Sequence, residues 1–452
     1  MNTKRKVGLG IIIFVIAFGV FWITPLGAGV SASSGETPTT TGTTAPAASV
    51  DPSAAPGETT DPSATPAETQ VPDPTVAPIE TPAPVETATP KPTAAPSETV
   101  APEPTSEVAS FTFTASGDDL VHSCLYEQAA ARGKAKGKKY DFSYCYKDVK
   151  KYFKKKDLNW INQETLVNSG YTPSGYPTFS TPTQIVKDLR KLNFTVFNTS
   201  SNHSYDKLAG GLDASMKFWK EMKKKEEGKD CYQVGICKRS NPLPQLIRKV
   251  NGIKVGFLSY TYGTNGISIS SNSKYRVVYL SERDRIKKQV KKLRKKADVV
   301  IVSCHWGVEN SHTISAEQKS LAKDLTSWGA DLIIGTHPHV LQDCGWVKSG
   351  NRKAFCAYSL GNFISGQVQT NQILGGTLNC TIKVNRATGK VKIAKPRIKP
   401  NVTVYGSNRS NIHVKWLEDY DSSDAAVQSS HISQSSFKNL AKKIIKNKYL
   451  DL

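Results

Sequence analysis

The sequence predicts an α/β domain whose sheets are covered by helices, preceded by an apolar N-terminal segment and a disordered Pro/Thr-rich linker. Three observations support this architecture. Strand-like apolar runs alternate with amphipathic runs after about residue 109, aromatic residues are absent from residues 31–107, and polar clusters that include His follow several of the strand-like runs. The predicted order is therefore an anchor, a spacer and one folded part.

Short apolar runs and amphipathic runs define the predicted elements in chain order. The predicted strands are residues 111–115, 158–161, 195–198, 253–260, 299–303, 332–334 and 354–359, and the predicted helices are residues 184–192, 212–225, 282–296 and 316–328. After about residue 365 the pattern is strand-rich, at 378–384 and 390–393, before a basic helix at 437–449. We expect the main domain at residues 109–400 and a C-terminal basic extension at 401–452.

The N-terminal segment has the features of a membrane anchor. Lys4-Arg5-Lys6 precedes an apolar run over residues 7–23, and Pro25 follows it. A run of this length fits a spanning helix better than a cleaved signal, although Val30-Ser31-Ala32 would serve as a cleavage site. We expect residues 1–30 to anchor the chain in the cell membrane by a single pass, with the C-terminal domain extracellular. Secretion after cleavage is the alternative.

The linker and the folded part differ in composition and charge. Residues 31–108 are mostly Pro, Thr, Ala, Ser, Glu and Val, and a segment with so few large apolar residues stays disordered and extended. The whole chain has a net charge of +22, but residues 1–108 hold only four Lys or Arg and eleven Asp or Glu. The folded part is therefore strongly basic and is expected to attract polyanions. No base-reading module is present in the sequence, so nucleic acid is not the expected partner.

The chain contains eight cysteines, all in the folded part. An even number in an exported protein permits disulfide bonds. The preferred pairs are Cys231–Cys237 and Cys344–Cys356, because each would close a short polar loop. Cys304 lies within an apolar run, where it can be a buried thiol.

Polar clusters follow the first two predicted strands. Gly117-Asp118-Asp119 follows the first, and His122 comes four residues after Asp118, close enough to bind the same ion. The alternative is that the Asp caps the next helix. Asn162-Gln163-Glu164 follows the second strand, where Glu164 could bind a metal with Asn162 behind it, or could belong to a surface loop.

Histidines follow three later strands. Asn202-His203 could bind metal through the amide oxygen and the ring, with Asp206 orienting the ring, or could form an ordinary turn. His305 follows residues 299–304, where a single His is more often structural than a ligand. Two His separated by Pro338, His337 and His339, can present both rings toward one centre, and they are the most specific element of the pattern. Ligands ending several strands are expected to meet, because open α/β sheets bind at the carboxyl ends of their strands.

The order of these clusters resembles the ligand order of calcineurin-like metallophosphoesterases, whose two-metal site drives phosphoester displacement. The second cluster departs from that family, which has Gly-Asp where this chain has Asn162-Gln163-Glu164. Imidazole and carboxylate ligands favour zinc or a transition metal over calcium.

The departures match a narrower family, since the sequence resembles the CapA/PgsA capsule synthesis proteins of poly-γ-glutamate biosynthesis. The resemblance covers about residues 111–365 in order. It is carried by Gly117-Asp118, Asn162-Gln163-Glu164-Thr165, Ser201-Asn202-His203-Ser204-Tyr205-Asp206, His305-Trp306-Gly307-Val308-Glu309, Gly335-Thr336-His337-Pro338-His339-Val340-Leu341-Gln342 and Tyr358-Ser359-Leu360-Gly361-Asn362-Phe363. Ser201 replaces the family's usual first Asn.

This resemblance implies a metallophosphoesterase-like sheet sandwich and one or two divalent ions, with zinc, manganese or iron as the candidates. The expected metal ligands are Asp118, His122, Glu164, Asn202, His203, His305, His337 and His339, the residues expected behind them are Asn162, Asp206, Glu309 and Asn362, and the expected catalytic residues are His203 and His305, each a candidate proton donor or oxyanion stabiliser.

The resemblance, together with the basic charge of the folded part, implies three hypotheses for the function. The leading hypothesis is a membrane-anchored extracellular CapA-like protein that acts in synthesis, transport or anchoring of an anionic capsule polymer such as poly-γ-glutamate. Its partners would be that polymer and capsule synthase membrane proteins. The second hypothesis is a metal-dependent phosphoesterase acting on a cell-wall or lipid-linked phosphate. The third is a non-catalytic scaffold that binds polymer or recruits the synthase.

Overall fold

Two β-sheets form the centre of the molecule in this computed structural model, which describes residues 108–241 and 246–452. All of these residues belong to one structural unit. The predicted anchor at 1–30 and all but the last residue of the predicted linker lie outside the described residues. Within the described ranges, no helix combines the length and apolar character that crossing a bilayer requires.

The larger sheet combines parallel strands at its middle with antiparallel strands at one side. Its spatial order is β16 (Ser410–Trp416), β15 (Val391–Gly406), β14 (Leu374–Asn385), β1 (Val108–Leu120), β2 (Leu158–Asn162), β3 (Phe194–Asn198) and β4 (Tyr232–Val234), and β13 (Asn362–Ser365) also pairs with β1.

The second sheet is smaller, with parallel strands at its middle and an antiparallel strand at each edge. Its order is β11 (Leu341–Ser349), β12 (Arg352–Leu360), β10 (Leu332–Thr336), β9 (Val299–His305), β7 (Ile253–Thr261) and β6 (Leu246–Val250), and a separate ribbon joins β5 (Cys237–Lys238) to β8 (Tyr275–Arg276).

Helices follow many of the strands. They are α1 (Ser123–Lys134), α2 (Lys150–Lys154), α3 (Gln184–Arg190), α4 (Leu208–Met222), α5 (Arg283–Arg294), α6 (Ala316–Trp328), α7 (Thr370–Ile373), α8 (Ser422–Val427) and α9 (Gln434–Ile444). The predicted α/β class is thus observed.

The main hydrophobic core lies between the two sheets, and a second core lies between the smaller sheet and its helices. Strand β9 shows why, since Val299 and Ile301 join the first core while Val300 and Val302 join the second. Successive side chains of a strand point to opposite faces, so a strand covered on both faces reads as a continuous apolar run. This is the pattern from which the strand was predicted.

The parallel strands of each sheet end at residues that pair with one another. Asp118 pairs with Asn162 and Asn162 with Asn198 in the larger sheet, while Thr336 pairs with His305 in the smaller sheet. A β-bulge interrupts the register of β1 and β2 just before Asp118. Because the strands end together, the polar residues that follow them are gathered at one edge of each sheet.

Most predicted elements are present with shifted ends, and several more were not predicted. Strand β1 is longer than residues 111–115, and the C-terminal helix ends at Ile444 rather than at residue 449. Helix α1 and strands β11 and β16 are additional. The boundary expected between residues 400 and 401 falls inside β15, and β16 after it completes the same sheet.

The two preferred disulfide bonds are not formed, and all eight cysteines are free thiols. Cys344 lies opposite Ala357 and Cys356 lies opposite Gly345 on neighbouring strands. The two cysteines are thus offset by one residue in the strand register, so their side chains lie on opposite faces of the sheet. Cys344 lies in the first core and Cys356 in the second. Cys231 and Cys237 are divided between the same two cores, so the short loop between them does not bring the sulfurs together. Cys304 is a buried thiol, as expected.

Candidate metal centre

The ends of five parallel strands, three from the larger sheet and two from the smaller, bring the predicted residues together. Strands β1, β2 and β3 carry Asp118, Glu164 and the Asn202-His203 pair at or just after their ends. Strands β9 and β10 end in His305 and in the loop that contains His337 and His339. All of these side chains are buried. His122, which follows β1, is half-buried.

Glu164 lies at the middle of this group. One of its carboxylate oxygens, Oε1, is 3.7 Å from Nε2 of His305 and 3.8 Å from Nε2 of His339. Glu164, His337 and His339 each offer a ligand atom, and these three atoms lie within 4.8 Å of one another. The structure therefore places a carboxylate and two imidazoles around one point.

Asp118 and Asn362 hold His339 from its other side. Nδ1 of His339 is 3.1 Å from Oδ1 of Asn362 and 3.3 Å from Oδ2 of Asp118. Asp118 also accepts a hydrogen bond from the Asn162 side-chain amide at 2.7 Å and one from the His337 backbone N–H at 3.3 Å. With Nδ1 held in this way, Nε2 of His339 is directed toward Glu164.

A ladder of side-chain hydrogen bonds fixes Asp118 in turn. Asn162 accepts from the Asn198 amide at 2.5 Å, and the hydroxyl of Ser259 donates to Asn198. The ladder crosses β1, β2 and β3 and reaches β7 of the other sheet. It fastens the two sheets together directly beneath the candidate centre.

His305 is held by neutral polar groups at both ring nitrogens. Nε2 is 2.8 Å from Oδ1 of Asn202, and Nδ1 is 3.0 Å from the hydroxyl of Thr336. The Asn202 amide also donates to Oδ1 of Asn265 at 3.0 Å. His305 and Asn202 thus form a hydrogen-bonded pair beside Glu164.

His203 and His122 both pack against the ring of Phe179. Nδ1 of His203 is 2.8 Å from Oδ2 of Asp206, which also accepts from the Phe179 backbone N–H at 2.7 Å. Nδ1 of His122 is turned to the backbone, 3.0 Å from the Gly366 nitrogen and 3.1 Å from the Leu120 oxygen. Neither ring belongs to the Glu164–His337–His339 group.

The loop that carries His337 and His339 has an uncommon backbone. The φ angle is 98° at His337 and 59° at His339, values that non-glycine residues seldom adopt. Such conformations persist only where the surroundings impose them, and they concentrate at functional sites. Here the loop turns both rings inward, with ring centroids 6.0 Å apart.

Burial sets the protonation of the group. It raises the pKa of Glu164 well above its usual range and lowers the pKa of His337 to about 3 and that of His305 well below its ordinary value. Burial opposes charge on His339 too, but the carboxylates of Glu164 and Asp118 outweigh it and raise the pKa of His339 to about 9. Glu164 and His339 together therefore retain a proton at neutral pH when no cation is bound.

The unpaired polar atoms fit a divalent cation. Both carboxylate oxygens of Glu164 and Nδ1 of His337 are buried and have no hydrogen-bond partner among the described residues. Unpaired polar atoms inside a protein are costly, and a carboxylate among imidazoles is a set of donors that zinc and transition metals accept. The side chains of the centre therefore fit the divalent metal ion that the sequence led us to expect.

The structure thus brings all eight expected ligands to one region but gives them different surroundings. Asp118 and Asn202 are engaged in hydrogen bonds to neighbouring side chains, as Asn162, Asp206 and Asn362 are. Glu309 lies on an exposed loop and reaches Glu164 and His339 only through its charge.

Several residues of the site were not predicted from the sequence. Tyr262 follows β7, and its ring centroid lies 4.5 Å from that of His337. Asn265, in the same loop, bonds to Asn202. The sequence pattern could have identified Tyr262 and Asn265, because β7 is one more strand that is followed by polar residues. Ser259 lies inside β7, where no sequence pattern separates it from ordinary polar positions, whereas Asn198 and Thr336 are the last residues of β3 and β10.

Solved structures similar to this chain include phosphatases and nucleotidases. One is a phosphatase from Mycoplasma pneumoniae, 14% identical with a TM-score of 0.38, where the match covers 65% of this chain and 94% of the other. Another is a 5'-nucleotidase precursor from Thermus thermophilus, 16% identical with a TM-score of 0.39, covering 74% of this chain and 59% of the other.

Two bacterial proteins are similar in sequence. The capsule biosynthesis protein CapA of Bacillus anthracis is 31% identical over 239 residues, which is 51% of this chain and 55% of that protein. The PGA biosynthesis protein CapA of Bacillus subtilis (strain 168) is 29% identical over 209 residues, 46% of this chain and 52% of that protein. The chain spans about half the length of the curated relatives it matches.

A family model described as bacterial capsule synthesis protein PGA_cap matches residues 112–367. The match covers more than half of the chain and includes every residue of the candidate centre. It confirms the family that the order of the sequence motifs indicated. This chain belongs to the bacterial capsule synthesis protein family PGA_cap.

Proposed function

We propose that this protein acts in the synthesis, transport or anchoring of an anionic capsule polymer such as poly-γ-glutamate, and that a divalent cation held by Glu164, His337 and His339 is required for that role. The observation that carries the proposal is the buried, unpaired carboxylate of Glu164 among imidazoles. Membership of a capsule synthesis family supports the cellular role.

A cation bound here would polarise an oxygen of the substrate and activate a water molecule. The surrounding side chains would position the groups that hold it. Asp118 and Asn362 fix the ring of His339, and burial keeps His337 neutral, so that its ring nitrogen can act as a ligand. Asn162 and Asn198 keep Asp118 in place.

Two histidines outside that group can handle protons. When Nδ1–H of His203 donates to Asp206, Nε2 of His203 is left to accept or release a proton. His305 is kept neutral by burial and is bonded to Asn202 and Thr336, which suits a fixed hydrogen-bond donor better than a proton carrier. We therefore assign the proton-transfer role to His203 and the stabilising role to His305.

The cellular location belongs to the same proposal. The basic flank and apolar run at residues 1–30 would hold the chain in the cell membrane, and residues 31–108 would span wall material as an extended tether. The folded part would then meet the polymer outside the cell, where capsule synthase membrane proteins are its candidate partners.

Metal content is the first test. The full chain should bind one or two equivalents of zinc, manganese or iron, and His337→Ala/His339→Ala should lose them. His413→Ala/His431→Ala is the matched control, because both of its histidines lie outside the centre. A wild-type protein that binds none of these ions after reconstitution would contradict the proposal.

Activity and capsule assays distinguish the rival functions. Metal-dependent cleavage or transfer of poly-γ-glutamate, lost in His337→Ala, would support a direct role in polymer handling. Hydrolysis of a generic phosphodiester with the same dependence would instead indicate a phosphoesterase. Normal capsule in cells that carry the His337→Ala/His339→Ala variant would contradict a role for the metal and leave a scaffold.

A further inference from the structure

A dense row of lysines covers the solvent-facing side of α5. Lys287, Lys288, Lys291 and Lys292 are exposed, and Lys295 and Lys296 continue the row just past the end of the helix. The opposite face packs Ile286, Val290 and Leu293 into the second core. At 1.5 Å per residue, the row extends for about 14 Å.

The lysines of this row lack acidic partners. Among the described residues, none of the six has a carboxylate within ion-pair distance, whereas the three arginines of α5 pair with Asp324, Glu282 and Asp331. Lysines one helical turn apart repel each other, so the row destabilises the helix that carries it. A polyanion lying along the row would remove that repulsion.

The row leads toward the candidate metal centre. Arg283, the first residue of α5, lines a cavity of about 350 Å³ together with Trp306, Val308 and Tyr262. Tyr262 lies between this cavity and the centre, since it lines the cavity, its ring lies 4.5 Å from that of His337, and the residue is 44% exposed. A chain lying on α5 could therefore enter the cavity at Arg283 and reach His337.

We propose that the lysine face of α5 (Lys287, Lys288, Lys291, Lys292, Lys295 and Lys296) is a binding track for a flexible polycarboxylate chain, and that the Arg283–Tyr262 cavity receives the segment next to the metal centre. This inference rests on the proposed function, which supplies the anionic polymer. It adds the surface that binds the polymer and the direction in which the polymer approaches the centre.

The composition of the face favours a soluble polyanion over a membrane. Its exposed positions within the helix are Asp284 and lysines, with no apolar residue between them. Helices that lie on a bilayer insert an apolar face beside their basic one, and here the apolar face is already buried in the core. Attraction without insertion suits a hydrated chain of carboxylates.

The test compares two variants of equal charge in the full chain. Lys287→Gln/Lys288→Gln/Lys291→Gln/Lys292→Gln neutralises the track, and Lys217→Gln/Lys220→Gln/Lys442→Gln/Lys443→Gln neutralises four equally exposed lysines on α4 and α9. Binding of labelled poly-γ-glutamate is measured by fluorescence anisotropy over a series of salt concentrations. Polyphosphate and vesicles containing anionic lipid are the comparison ligands, and retained metal content shows that each variant is folded.

We expect the track variant to bind poly-γ-glutamate roughly tenfold more weakly at low salt and with a shallower salt dependence, because fewer counterions are exchanged, while the control changes little. Equal losses in the two variants would overturn the track and leave polymer binding as a property of the overall charge. Wild-type binding to vesicles but not to poly-γ-glutamate would overturn the choice of polymer. A wild type that binds metal but no polyanion would overturn the track and the polymer partner while leaving the metal centre.

Discussion

At the residue scale, Glu164 combines a cost in stability with a role in the candidate centre. Both of its carboxylate oxygens are buried, and no donor among the described residues reaches them. A buried polar group without a partner destabilises a fold by about 1–3 kcal/mol. Residues that weaken the fold in this way are expected where a ligand compensates for them.

Replacement of Glu164 by an apolar residue of similar length should reveal this cost. We expect Glu164→Met to raise the free energy of unfolding of the metal-free protein by about 1–3 kcal/mol and to abolish the stabilisation that added zinc provides. Chemical denaturation with EDTA and with zinc measures both effects. Glu127→Met, which replaces an exposed acid on α1 outside the centre, should change neither by more than about 0.5 kcal/mol. A metal-free Glu164→Met protein that is less stable than wild type would refute the assignment.

Cation binding should depend on pH through the proton held by Glu164 and His339. The pKa of His339 is raised to about 9, so the cation must displace a proton at lower pH, whereas His337, with a pKa of about 3, is already neutral. Affinity should therefore rise from pH 6 to about 9 and level off above that value. Calorimetry in buffers of different ionisation enthalpy measures the protons released. An affinity that is constant from pH 6 to 8.5 would contradict this prediction.

At the element scale, the parallel strands and their crossing contacts position the centre. Strand β10 approaches β12 so closely that a Cβ at Gly335 would overlap the Tyr358 carbonyl oxygen and the Trp306 indole nitrogen. The indole N–H of Trp306 donates to the same Tyr358 carbonyl at 2.8 Å. The backbone just before His337 is thereby held at a fixed distance from its neighbours.

A single methyl group at Gly335 should disturb both stability and metal binding. We expect Gly335→Ala to destabilise the protein by about 2–3 kcal/mol, as overpacking does, and to weaken metal binding because the His337 loop is displaced. Gly263→Ala is the control, since its Cβ would meet open space near the same site. Thermal unfolding and metal titration of the two variants provide the comparison. Wild-type behaviour of Gly335→Ala would show that the strand spacing does not position the loop.

At the scale of the whole molecule, the division of buried residues between the first and second cores determines the state of the cysteines. The predicted partners Cys344 and Cys356 face different cores, and Cys231 and Cys237 do so as well. The reactive form of each of these four thiols is also disfavoured, because burial raises the pKa of every one. The described domain would then fold without disulfide bonds.

Thiol counting tests this directly. The protein purified without reductant and then denatured should show eight free thiols, and its unfolding midpoint should not change when dithiothreitol is added. Six thiols and a lower midpoint in reductant would show that one disulfide bond forms. The buried positions of these cysteines make that outcome inconsistent with the strand register observed here.

Sequence patterns alone predicted most of the strands and helices, the family of the chain, and the meeting of its polar strand ends at one site. These follow from local patterns, because hydrophobic periodicity reports burial and parallel strands bring their carboxyl ends to one edge. Asp118, Glu164, His305, His337 and His339 were found in this way.

The role of each of these residues depends on the tertiary contacts that it makes. Asp118 holds His339 while Glu164 accepts no hydrogen bond, and Ser259 of one sheet fastens Asn198 of the other. The cysteines that were predicted to pair face different cores. All of these features depend on how the strands and sheets pack. Such contacts join residues far apart in sequence, and their geometry depends on register and packing that no local pattern encodes.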